Sequence, residues 1–135
     1  LDVFGKITTI VGTAGLSLTS LSLLVGGIGI MNVMFVSVPE RTREIGVRKA
    51  LGAKRRAILT QFLLEATVIC VIGGLLALGL AWPVTLVMQK WLPATISPDI
   101  AALAIAIAAG TGVVAGCLPA WRAARLNPVD ALRSE

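Results

Sequence analysis

The sequence predicts an all-α membrane protein, and three observations carry that prediction. Hydrophobic residues make up 56% of the chain and charged residues 14%, against about 25% charged in a soluble domain. Mean hydropathy is +0.91. Three uncharged runs, 7–38, 66–89 and 100–121, reach the ~20 residues that a helix needs to cross the hydrocarbon core. Between the first two runs lies a cationic segment, ERTREIGVRKALGAKRR at 40–56, which holds seven of the twelve Lys and Arg residues.

The first run is about a dozen residues longer than a bilayer requires, so at ~1.5 Å per residue its outer half is expected to project as a stalk. Thr9, Thr13, Ser17 and Ser20 recur there at helical spacing. They either form a mildly polar stripe or bond to carbonyls of their own preceding turn, which membrane helices tolerate. The run is too long for a signal-peptide core and has no strong basic region ahead of it.

The cationic segment reads as a short helix. Pro39 suits a first helical position, Glu40 and Glu44 suit its N-terminal end, and Glu44 with Arg48 forms a favourable pair one turn apart. Ile45, Val47, Ala50 and Leu51 give it an apolar component, and Gly52 is placed to stop it before Lys54 opens the next helix. Either it anchors the chain to anionic lipid or it offers a face to a partner protein.

The second span is expected at about 62–89, with Pro83 kinking it and Glu65 near its start. Glu65 is read as an interfacial carboxylate that pairs with a loop arginine or with Arg122, with a proton relay as the alternative. The loop 90–99 carries only Lys90 among its cations, together with Pro93 and Pro98. Arg122, Arg125 and Arg133 follow the third span. The positive-inside rule then predicts an outer N-terminus and an inner C-terminus. Trp91 and Trp121 sit where interfacial tryptophans belong, and Trp82 lies deeper.

Each span is rich in glycine. Gly112 and Gly116 form a GxxxG pair, read as a close helix contact and a candidate dimer seam. The positive charge gathers at the ends of apolar spans and aromatic residues are few, so attraction to phospholipid explains it better than nucleic acid does. No His is present, and Cys70 and Cys117 both fall in spans, so neither a metal site nor a disulfide framework is expected. The two cysteines are read as small buried hydrophobes. Neither Gly-rich segment fits a P-loop, and no nucleophile or paired carboxylates have catalytic spacing; the chain is expected not to be an enzyme and to carry no cofactor.

The stretch GGIGIMNVMFVSVPERTREIGVRKALGAKRRAILTQFLLEA and the tail LPAWRAARLNPVDALR resemble the permease portion of the MacB and FtsX type of ABC transporter. The run GIGIMNVM into SVPERTREIG looks most like the MacB branch. The resemblance spans nearly all of 26–135 and implies a single membrane module, with spans near 7–38, 62–89 and 100–121, a coupling segment 39–56, an outer loop 90–99 and a tail 122–135. It makes these spans the second to fourth of a four-helix layout.

By the same resemblance, Glu40, Arg41, Arg43, Glu44, Ile45, Gly46, Arg48, Ala50, Gly52 and Ala53 contact an ABC ATPase domain or subunit, which binds the ATP and Mg. Pro119, Arg122, Arg125, Pro128 and Asp130 give a second cytoplasmic contact. Implied too are a second permease copy, a bacterial inner-membrane location and, in some relatives, a periplasmic adaptor with an outer-membrane channel. The implied function is mechanotransmission, in which nucleotide-driven closure inside drives export or other work outside. The alternative is a transducer that moves no cargo and activates an extracytoplasmic enzyme. The resemblance leads to the expectation that the sequence is part of a longer permease.

Overall fold

The computed structural model describes residues 2–91 and 95–127, and within them the chain is four helices: α1 (Asp2–Glu40), α2 (Thr42–Ala50), α3 (Arg55–Met88) and α4 (Pro98–Arg125). Three of these, α1, α3 and α4, are long and apolar enough to cross a membrane. Their side chains explain the continuity: no charged residue interrupts any of the three runs, and in lipid a helix satisfies every backbone donor internally.

The spans reach further than the hydropathy runs. Ser97 caps α4, its Oγ accepting from the Ile100 N–H at 3.4 Å, and Pro98 takes the first turn, where its missing N–H costs nothing. Pro98 therefore begins a helix and does not belong to the preceding loop, while Pro93 lies outside the described residues. Pro39 also differs from expectation. It lies in the last turn of α1, not at the start of α2. The helix breaks two residues later, at Arg41 (φ −98°, ψ 12°), although the Arg41 N–H still bonds to the Ser37 carbonyl at 3.2 Å; the donor that Pro39 lacks is the one that would serve the Phe35 carbonyl, a turn earlier. Pro83 is accommodated inside α3.

The N-terminal half of α1 packs against nothing among the described residues: every residue from 3 to 26 is exposed. Its hydroxyls are satisfied within the helix. Thr9, Thr13, Ser17 and Ser20 donate to the carbonyls of Gly5, Thr9, Thr13 and Leu16 at 2.8–2.9 Å, so the second of the two sequence readings holds. At ~1.5 Å per residue, the 39 residues of α1 extend roughly twice the ~30 Å hydrocarbon thickness.

Packing concentrates at one end. Met34 and Val38 at the end of α1, Ile45 in α2, Ile58, Phe62 and Ala66 at the start of α3, and Ala120 and Ala123 at the end of α4 form one buried cluster. Above it, α3 and α4 stay in contact along a glycine seam. A Cβ on Gly112 would lie 2.7 Å from the Thr67 Cα and 2.9 Å from the Ala66 carbonyl oxygen, and one on Gly116 would lie 2.6 Å from the Ala66 Cβ. The GxxxG pair is thus a close helix contact, made between α3 and α4 of one chain. Gly74 faces Ala108 and Gly27 faces Thr111, whereas Gly26, Gly29, Gly73, Gly79 and Gly110 face open space.

Cys117 is exposed on its helix and Cys70 is half-buried, so the expectation of two buried cysteines fails for Cys117, which faces away from the core cluster. Trp82 and Trp91 are exposed as well.

The seam yields a test. Gly112→Ala should lower thermal stability in detergent by about 1–3 kcal/mol, the usual cost of overpacking against a backbone that cannot retreat. Gly110→Ala, two residues away with nothing near its Cβ, should leave the melting temperature unchanged or raise it.

Candidate functional site

A nine-residue helix such as α2 is too short to hold itself together in water, so its position depends on what it docks against. Ile45 supplies the anchor: it is 4% exposed within the cluster formed by the ends of α1, α3 and α4. Gly46 beside it is also buried. The helix stops where the sequence indicated. Gly52 adopts φ +95°, the Gly52 N–H bonds to the Lys49 carbonyl and the Ala53 N–H to the Arg48 carbonyl, both at 3.0 Å. This paired arrangement satisfies the last carbonyls of the helix and needs a residue without a Cβ penalty at the positive φ.

Three polar links tie the platform to the spans. Arg41 Nη1 approaches Glu65 Oε1 at 3.4 Å, so Glu65 pairs with a loop arginine and not with Arg122. Arg48 pairs with Glu44 on its own helix and donates from Nη1 to Gln61 Oε1 of α3 at 2.6 Å. Lys49 Nζ donates to the carbonyls of Ala124 at 2.7 Å and Leu126 at 2.5 Å. These are orphan acceptors at the C-terminal end of α4, where the helix dipole also favours a cation.

Magnitudes rank the links. Arg41 and Glu65 keep 47% and 39% of their side chains exposed, and ion pairs of that kind are worth about 0–1 kcal/mol. They orient more than they stabilise. Lys49 is half-buried and makes two charge-assisted bonds, each in a class worth about 1.5–3 kcal/mol. Burial pushes its ammonium below the ordinary lysine range, with the nearby Arg55 charge adding to the push.

The opposite face of α2 is free within the chain. Val47 is 43% exposed and Leu51 84%, with Arg43 and Ala50 also exposed. At the end of α4, Arg125 stacks on Trp121 with its guanidinium carbon 3.8 Å from the ring centroid, and Arg122 lies 5.8 Å from the Phe35 ring. Pro119 is fully buried. No group of His, Cys, Asp or Glu able to hold a metal occurs among the described residues.

This arrangement of long apolar helices around a docked cationic platform coincides with a family match over residues 16–128. The chain belongs to the FtsX-like permease C-terminal family. It is 50% identical over 135 residues to the macrolide export ATP-binding/permease protein MacB of Rhodopirellula baltica, covering 98% of this chain and 20% of that relative. The MacB of Neisseria gonorrhoeae is 50% identical over 122 residues, covering 88% of this chain and 19% of its own. The ABC transporter permease YknZ of Bacillus subtilis is 48% identical over 134 residues, covering 97% of this chain and 34% of its own. The chain thus spans about a fifth of the MacB relatives and a third of YknZ. It is a membrane protein.

In this FtsX-like module the sequence-named residues separate by role. Ile45, Gly46, Arg41 and Arg48 turn inward or sideways to the spans, Gly52 and Ala53 close the helix end, and Glu40, Arg43 and Ala50 stay exposed. Pro119 lies within the packed end of α4, close to Arg122, whereas Pro128 and Asp130 lie outside the described residues. Sequence reading missed Lys49 and Gln61. Both carried a signal: Lys49 is one turn after the buried Ile45, and Gln61 one turn before Glu65, so each shares a face with a residue already singled out.

Lys49→Met should leave the spans inserted but loosen α2. Amide hydrogen exchange across Thr42–Ala50 should rise by roughly tenfold or more, as loss of about 2 kcal/mol of docking requires, while exchange in the middle of α3 stays unchanged.

Proposed function

We propose that this chain is the membrane-embedded end of a MacB-like ABC permease and that α2 is its coupling helix. In this reading α2 receives movement from an ABC ATPase and passes it to the spans, and α1 carries it outward. The observation that carries the proposal is the two-sidedness of α2. One face is held by Ile45, Lys49, Arg48 and Arg41 to the other helices, and the other presents Val47 and Leu51 with free area. A platform anchored that way transmits a push without being displaced by it.

ATP and Mg are assigned to the ATPase and not to this chain. Its topology is proposed as N-out and C-in, with α2 and the α4 end cytoplasmic, because the basic residues cluster there. The family and the relatives' names support an ATPase partner. A second permease copy, and in some settings a periplasmic adaptor and outer-membrane channel, belong to the same proposal. Mechanotransmission needs a stiff lever rather than a central path, and α1, continuous over 39 residues, supplies one whether the outer work is export or activation of an enzyme.

In the full-length permease with its ATPase, Leu51→Asp with Val47→Asp should abolish stimulation of ATP turnover by membrane reconstitution while the protein still inserts and purifies as wild type does. Unchanged turnover and unchanged ATPase association would sink the coupling role and leave α2 as a lipid anchor.

A further inference from the structure

Beside the platform, on the flank between α1 and α4, a groove of about 420 Å³ opens where the apolar spans end. Phe35, Pro39 and Leu126 form its accessible apolar wall, the buried Val38 and Pro119 lie at its base, and Thr42 and Arg122 are its polar groups. Coupling through α2 makes no use of this groove. We infer that it binds the headgroup of an anionic phospholipid, with the Arg122 guanidinium on the phosphate and the apolar wall against the start of the acyl chains.

Charge complementarity argues for that occupant. The ion pairs among the described residues are Arg41 with Glu65 and Arg48 with Glu44, so no carboxylate among them neutralises Arg122, whose recorded contact is the Phe35 ring at 5.8 Å. Thr42 is the first residue of α2, and α2 has no side-chain cap at its N-terminus. The Thr42 hydroxyl donates to the Val38 carbonyl at 3.3 Å, so the charge that faces the groove is that of Arg122. Depth argues for it too. Arg122 directly follows the uncharged run that ends at Trp121, so the guanidinium sits at headgroup level, and a guanidinium grips a phosphate by paired donors.

A soluble phosphate would find the charge but not the wall. The wall distinguishes a lipid from a free anion, since the groove's lining is mostly apolar carbon apart from Arg122 and Thr42.

The test is native mass spectrometry of the delipidated full-length permease with its ATPase, titrated with phosphatidylglycerol or phosphatidylcholine in detergent. Phosphatidylglycerol should be retained and phosphatidylcholine lost at equal activation energy. Arg122→Gln should weaken retention about fivefold or more, the loss expected for one cation at an anionic surface, and Lys90→Gln should not. Thr42→Glu is a second route: in protein that still purifies with its ATPase as wild type does, a carboxylate in the same lining as Arg122 should expel the lipid phosphate to the same extent. Glycerol phosphate at millimolar concentration should not compete. Equal retention of both lipids, retention indifferent to both substitutions, competition by glycerol phosphate, or no retention because another segment of the full-length chain fills the groove would each overturn the assignment.

Discussion

The close approach of α4 to α3 at Gly112 and Gly116 is the constraint on which the rest of the structure depends. Within lipid no hydrophobic drive brings helices together, so contact must come from surfaces smooth enough for backbone to touch backbone. Ala66, with no exposed area, meets both glycines. That contact sets how near the end of α4 comes to the start of α3, and hence whether Ala120 and Ala123 can close over Ile58 and Phe62. The site at which α2 docks exists because of it.

From that packed end, rigidity falls off in a definite direction. The end near α2 has the buried cluster, the Lys49 bonds and the termination of α2 at Gly52. Toward the other end, α3 and α4 keep the Gly74 to Ala108 contact, and α1 leaves the bundle, with residues 3 to 26 exposed. In the proposed coupling, a helix held at Met34 and Val38 and free of contacts with the rest of this chain toward its other end acts as a lever, turning a small rotation at the packed end into a larger displacement tens of ångströms away. The continuity of α1 matters more than its polarity here, because its hydroxyls are turned onto its own carbonyls and offer few polar contacts to a neighbour.

Much of the fold could be read from local pattern. The three spans follow from the absence of charge over runs of sufficient length, and the end of α2 follows from one glycine, since only glycine takes φ +95° without strain. The internal satisfaction of Thr9, Thr13, Ser17 and Ser20 was one of two readings open in the sequence. What misled was Pro39, which fits the first turn of one helix as well as the last turn of another; its neighbours do not decide between them. The cysteines misled for a related reason. Hydropathy marks a residue as belonging in a membrane without saying whether it faces protein or lipid, and Cys117 faces outward.

The sequence by itself determined which helices are long and apolar enough to cross a membrane, where the cationic platform interrupts them and where that platform ends, because each of these rests on interactions within a few residues. Tertiary structure alone decided that the glycine pair serves α3 and α4 of one chain, that Lys49 caps the end of α4 at a separation of more than 70 residues, and that Arg122 borders an open groove. These are relations between elements distant in sequence. A glycine states only that a close approach is possible, and a lysine only that a cation is available; which backbone comes near, and which carbonyls lack partners, is set by how the helices pack.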